Sequence, residues 1–265
     1  MKISKVFISA GLVAIATSFG FIDNKTTPAS KINTNPHFAV IELFTSEGCS
    51  SCPPADDAIA KLQKESSGKP VYILAFHVDY WNRLGWKDIF SNADYSARQN
   101  QYAKYLKIQS VYTPQVVVNG KKEFVGSEES TLKNSISAAL TKDEAANLSL
   151  SDVKIEQNKI SLHYQTEGNG NNSVLLLALV QKNAVSHIKA GENSGRTISH
   201  VQIVRRLQSV ALSNNKNGDE TITLLNGFNP QGWEVIGLIQ DTKTGEIIGA
   251  AKGEFSSAMK TKNAE

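Results

Sequence analysis

Beyond Cys49 and Cys52 the chain contains no cysteine. A framework of disulfides joining distant segments is therefore excluded. There is no dense run of lysine or arginine, and the formal net charge is only +3. A nucleic-acid partner is not expected from such a balance. No internal repeat recurs along the sequence. No cysteine follows the apolar N-terminal run, which argues against a lipid-anchored lipoprotein.

That N-terminal run has the features of an export signal. Lys2 and Lys5 precede an uncharged stretch from Val6 to Ile22. Ala14-Ile15-Ala16 offers a small-x-small cleavage site, with Ser18-Phe19-Gly20 as a second candidate. The stretch lies at the short end of the roughly 17–25 residues a spanning helix needs, so cleavage is expected rather than anchoring. Residues 1–22 are read as a signal peptide and 23–36 as a disordered lead-in. The protein is expected to be exported, periplasmic or extracellular, with no stable membrane span after cleavage.

Export changes the meaning of the cysteines. In an oxidising compartment a structural pair usually joins distant segments. Here only Ser50 and Ser51 intervene, and so short a loop removes little chain entropy. A reactive pair is the better explanation. The pair follows an apolar stretch, Phe38 to Thr45, that reads as a strand, and precedes Ala55 to Lys64, which reads as a helix. A CxxC at a strand-to-helix junction is a redox motif, and the helix N-terminus favours thiolate at the first cysteine.

The composition, 40% hydrophobic and 20% charged, is that of a globular protein. The pattern changes near Thr141-Lys142-Asp143. Before it, apolar strands at Val71 to Phe76, Val116 to Val118 and Glu123 to Val125 alternate with helical stretches at Ser91 to Leu106 and around Leu132, Ile136 and Leu140. Asn119-Gly120 marks a hairpin turn. After it, strand-like stretches separated by turn residues run from Leu148 to Ala251 and suggest an antiparallel sandwich. The expected organisation is an α/β domain over 37–142, a β-rich domain over 143–256 and a frayed tail over 257–265.

Residues 38–140 resemble the thioredoxin superfamily. The element order agrees, and Val111-Tyr112-Thr113-Pro114-Gln115-Val116 falls where that fold places a proline before its third core strand. The phrases from Glu42 to Asp56, His77-Val78-Asp79-Tyr80-Trp81 with Leu84-Gly85-Trp86, and Tyr112 to Gln115 are similar to one exported bacterial thioredoxin-like family, domain-of-unknown-function family 1223. The likeness extends through Gly195-Arg196 and His200 to Arg206. It implies a thioredoxin-like domain followed by an antiparallel β-sandwich-like domain. It further implies Cys49 as an exposed nucleophile, less buried than Cys52, with Cys52 resolving the mixed disulfide. Thr113 and a cis Pro114 would hold a substrate strand. Two departures stand out: Gly48 replaces the usual tryptophan before the first cysteine, and Pro53-Pro54 follow the second. The regular helix is therefore expected to begin at Pro53, which moves Cys49 away from the helix dipole.

The expected function is an exported thiol-disulfide oxidoreductase that needs no cofactor. Its expected partners are disulfide- or thiol-bearing exported proteins, or an upstream electron carrier. His77 and Asp79, on one side of an extending strand, are candidates for a proton relay or for lining the site. Glu42, in the first strand, either accepts a proton or faces solvent. Trp81 and Trp86 are expected to cap the core and Asp88 to open the next helix. One of Arg205 and Arg206 points toward the loop edge or both lie on a solvated face. Two other classes stand beside this reading. One is a copper- or zinc-binding or delivery protein with Cys49, Cys52 and His77 as ligands. The other is a non-catalytic interaction module.

Overall fold

The computed structural model describes residues 37–142, 146–168, 170–212 and 216–256. The expected signal peptide, lead-in and tail lie outside them. The first half runs β1 (Ala39–Thr45), α1 (Pro53–Glu65), β2 (Val71–His77), a 3-10 turn at Asn82–Leu84, α2 (Ala93–Leu106), β3 (Gln115–Val118), β4 (Lys122–Val125) and α3 (Glu129–Ala139). This is the expected order. Strand β1 is central, parallel to β2 and antiparallel to β3, and all of its residues are buried. Its alternation divides the interior. Ile41 and Leu43 pack with Ala55 and Ile59 of α1, whereas Val40 and Phe44 pack with Tyr95 and Tyr102 of α2. The β3–β4 hairpin turns through Asn119 and Gly120, both at positive φ, the backbone for which Asn-Gly is suited.

The second half supplies β5 (Asn147–Glu156), β6 (Lys159–Glu167), β7 (Ser173–His187), β8 (Thr197–Ala211), β9 (Asn217–Thr223), β10 (Trp233–Asp241) and β11 (Ile247–Gly253). These strands pair antiparallel and form two layers that pack on a common core, but the larger layer is continuous with the sheet of the first half. Four of them extend the first sheet, giving a mixed eight-stranded sheet in the order β11-β10-β7-β8-β2-β1-β3-β4, joined where Ala75 of β2 meets Ile203 of β8. Only β5, β6 and β9 form a separate three-stranded layer. The cause is legible in β7. Leu175, Leu177 and Leu179 face the three-stranded layer with Leu148, Leu162 and Ile222, while Leu176, Ala178 and Val180 join the core beneath α2. A strand apolar on both faces needs cover on both. The sheet thus runs across the boundary expected near residue 142. Among the described residues no helix is long and apolar enough to cross a membrane.

Candidate functional site

Strand β1 ends at Thr45, and the chain turns through residues 46–51 into α1. Cys49 and Cys52 are joined by a disulfide within this turn, with their Cα atoms 5.4 Å apart. Helix α1 begins at Pro53, and Cys52 is its N-cap residue. A helix N-terminus normally presents four unbonded N–H groups. Here Pro53 and Pro54 have none. The Cys52 N–H donates to the Cys49 carbonyl, and those of Ala55 and Asp56 donate to the Cys52 carbonyl at 2.9 and 3.1 Å. The helix N-terminus thus leaves no backbone N–H free for Cys49, and the hydroxyl nearest its sulfur is that of Ser51, 3.4 Å from Cys49 Sγ.

Both cysteines are fully buried. The expectation that Cys49 is the more exposed of the two is therefore corrected, and packing around the turn gives the reason. Trp81 closes over Gly48, where a Cβ atom would lie 3.1 Å from the Trp81 Cβ, so any larger residue at position 48 requires Trp81 to shift. From the second half, Asn193 Nδ2 donates to the carbonyls of Glu47 and Cys49, both at 2.9 Å. Only Ser50 and Ser51 of the motif reach solvent.

The Thr113–Pro114 peptide bond is cis and lies beside this turn. Ser51 Oγ donates to the Thr113 carbonyl at 3.5 Å, and Trp81 Nε1 donates to Thr113 Oγ1 at 2.8 Å. Trp86 Nε1 donates to Glu47 Oε2 at 2.6 Å. The two tryptophans therefore tie the site together, and Trp81 also packs against the core as expected.

Beneath the turn lies a buried cluster of ionisable groups: Glu47, Asp56, His77, Asp88 and His200. His77 Nδ1 donates to Asp88 Oδ2 at 2.7 Å. That carboxylate also accepts the N–H groups of Glu47 and Phe90. Burial pushes Asp88 up, but His77 and these donors outweigh it and hold the carboxyl below its ordinary range. His200, from β8, stands edge-on to His77 with ring centres 4.8 Å apart. Its Nε2 is 3.6 Å from Glu47 Oε1 and its Nδ1 is 3.7 Å from Asp56 Oδ2. Burial raises the Asp56 carboxyl to about 7, against the opposing effects of His200 and the Thr45 hydroxyl. Among the described residues, Glu47 Oε1, His77 Nε2 and both His200 ring nitrogens have no hydrogen-bond partner. Buried polar atoms are rarely left so, and these four lie together.

Several expected roles move. Asp79 does not share His77's surroundings, because β2 ends at His77 and the backbone then turns. Its carboxylate accepts from Ser96 Oγ of α2 at 2.5 Å. Asp88 does not open α2, which is capped by Asn92; it is the partner of His77. Glu42 neither faces solvent nor accepts a proton at the cysteine turn. It is buried on the α2 side of the sheet, where Arg98 donates to both its oxygens at 2.5 and 2.9 Å and Tyr102 donates as well. Arg205 donates to Gln181 Oε1 and stacks over Phe90, instead of lying on a solvated face. In the set Cys49, Cys52 and His77 the sulfurs are bonded to each other and His77 Nδ1 is bonded to Asp88. Among the described residues no group of three or more His, Cys, Asp or Glu side chains is arranged to hold a metal ion.

The family described as protein of unknown function DUF1223 matches residues 40–240. The chain belongs to the DUF1223 family. The matched stretch spans Cys49, Cys52, His77, Asp88, Thr113, Asn193 and His200, so the DUF1223 region includes both halves of the site. A crystal structure of protein AGR_C_4864 from Agrobacterium tumefaciens is similar to this DUF1223 chain, with 25% identity and a TM-score of 0.61 over 85% of this chain and 97% of that one. A DUF3823 family protein from Bacteroides ovatus aligns at 10% identity and a TM-score of 0.26, over 42% of this chain and 55% of that one. No curated protein matches the chain.

Sequence reading missed Glu47, Asp56, Asn193 and the partnership of His77 with Asp88. Glu47 and Asp56 flank the cysteines, and that proximity was an available signal. Asn193 had none and His200 only its place in the family likeness, because the pairing of β8 with β2 is what carries the second half to the turn.

Proposed function

We propose that this DUF1223 protein is an exported thiol-disulfide oxidoreductase working through Cys49 and Cys52, with a thioredoxin-like first half. The observation that carries the reading is the place of the disulfide. It closes two residues between β1 and α1, where it contributes little as a staple, directly above a buried acid–histidine cluster. The partners are exported proteins bearing thiols or disulfides, or an electron carrier that resets the pair.

In the reducing direction the Cys49 thiolate attacks a substrate disulfide. The substrate S–S bond breaks, one substrate sulfur leaves and takes a proton, and a Cys49 mixed disulfide remains. Cys52 loses its proton and attacks that bond, releasing the second substrate thiol and forming Cys49–Cys52. Two electrons and two protons pass to the substrate; the oxidising direction is the reverse. The Thr113–Pro114 turn, tied to the motif through Ser51, is the surface for the substrate strand. The proton relay sought in His77 and Asp79 is assigned instead to the buried cluster, with Asp56 titrating near neutrality, the range suited to such transfer.

Equilibration of the purified protein in glutathione redox buffers tests this, with thiols counted after alkylation. The expected result is a reversible two-electron couple between about −270 and −120 mV, the span of known exchange proteins. A native pair that excess dithiothreitol leaves oxidised overturns the reading.

A further inference from the structure

We propose that Asn193 is the specificity-determining residue of the cysteine turn: it holds a cap over Cys49 that an extended polypeptide partner displaces and a small thiol does not. The inference rests on the redox reading above.

The cap is the loop between β7 and β8. Asn193 is 1% exposed and bonds the carbonyls on either side of Gly48, those of Glu47 and Cys49. Its own Oδ1 accepts from Arg196 Nη1 at 3.0 Å. The adjacent Glu192 accepts the Ser50 N–H at 3.1 Å. Two neighbouring side chains thus occupy the main-chain groups of residues 47, 49 and 50. The loop is itself held in shape, with Gly195 N–H donating to Ile188 O and Ile188 N–H to Arg196 O at 2.8 and 2.9 Å. Gly191, at φ +76, leans on Trp86.

Disulfide exchange needs a sulfur to approach Cys49 Sγ, and a fully buried residue does not admit one. Something must open. The cysteine turn is flanked on one side by Trp81, which packs against the core and is bonded to Thr113. On the other it is flanked by this polar loop, whose bonds to the turn are each exchangeable for bonds to water or to a partner at modest net cost. The loop is the element that yields. What replaces it must give donors to two carbonyls and an acceptor to one N–H. An extended polypeptide backbone supplies that alternation, and a tripeptide-sized thiol supplies little of it.

Asn193→Asp isolates the contact. The carboxylate keeps the shape and the Arg196 partner but donates nothing to the two carbonyls. Reduction of the full-length disulfide by glutathione is followed by alkylation; two glutathione thiols become one glutathione disulfide as Cys49 and Cys52 gain two electrons and two protons. The expected result is reduction faster by about tenfold or more in Asn193→Asp, as two lost hydrogen bonds imply. The exposed Glu192→Gln is expected to accelerate it about two- to threefold. Because cap opening exposes little surface, the rates should barely respond to low urea, whereas a route through global unfolding responds steeply. The wild-type preference for a peptide disulfide over glutathione disulfide should shrink in both variants. Equal rates in wild type and Asn193→Asp overturn the inference and leave the redox reading standing. Rates that climb steeply with urea also overturn it. A pair that stays oxidised in every native protein and is reduced only in denaturant overturns both. If Asn193→Asp does not fold, Glu192→Gln decides, and no acceleration there overturns the proposal.

Discussion

His77 Nδ1 donates to Asp88 Oδ2 at 2.7 Å, and neither side chain is exposed to solvent. The pair joins the end of β2 to the Glu47 backbone through the same carboxylate oxygen, so it supports the cysteine turn from below. Removing one member leaves the other buried without its partner. His77→Phe is expected to cost about 3–5 kcal/mol of unfolding free energy, measured by urea denaturation at pH 7. Asp88 is held below its ordinary range. Its contribution is therefore present above the unfolded carboxylate pKa and lost as pH falls through the folded one. The gap between wild type and His77→Phe should narrow in acid.

Asp56 has the opposite sign. Its carboxyl is raised to about 7, chiefly by burial, so the folded state holds a proton that the unfolded chain releases above the ordinary carboxylate range. Stability from this group is present at low pH and is lost as pH rises toward 7. Asp56→Asn keeps the neutral shape without the titration. Relative to Asp56→Asn, the wild type should lose stability between about pH 4 and 7, at a slope on the order of 1.4 kcal/mol per pH unit. Parallel stability curves for the two proteins would rule this out.

The disulfide closes a sequence separation of 3, which limits its chain-entropy contribution to about 2 kcal/mol. The double substitution Cys49→Ala with Cys52→Ala should leave a folded protein less stable by no more than that amount. Exchange with a disulfide substrate should be abolished. Far-ultraviolet circular dichroism through a thermal melt, beside an insulin-reduction assay, checks both halves of the statement.

Gly48 faces the Trp81 Cβ at a separation no larger side chain tolerates without movement. Gly48→Trp should displace Trp81 and weaken its bond to Thr113, with an overpacking cost of about 1–3 kcal/mol. Urea denaturation measures that cost. The change should also alter exchange rates, because it moves both the turn and Thr113.

Glu42 and Arg98 occupy the other face of β1. Glu42→Gln leaves a buried guanidinium without its carboxylate and should destabilise the fold by about 3–5 kcal/mol. The midpoint potential of Cys49–Cys52 should stay where it is, because Glu42 faces α2 while the motif leads into α1. A potential that shifts with this substitution would place Glu42 within the redox site.

Local signals carried the first half. The alternation of β1, the Asn-Gly turn, the apolar runs of β2 and β3 and the placement of Pro53-Pro54 each depend on neighbours a few residues away. The order of elements, the start of α1 at Pro53 and the closeness of Cys49 to Cys52 followed from them. Which side chains meet was another matter. Period-two reasoning paired His77 with Asp79, but it holds only while the strand continues, and β2 stops at His77. The true partner, Asp88, lies beyond a turn whose path is set by packing. Burial of Cys49 was equally out of reach, because the residues that bury it are distant in sequence. Asn193 is 144 residues away, and it arrives only because β8 pairs with β2 while the two apolar faces of β7 demand cover on both sides. The sequence by itself determined the order of the elements in the first half and the closeness of the two cysteines. Tertiary structure alone decided what surrounds that motif, because the choice among distant partners is made by packing the whole sheet.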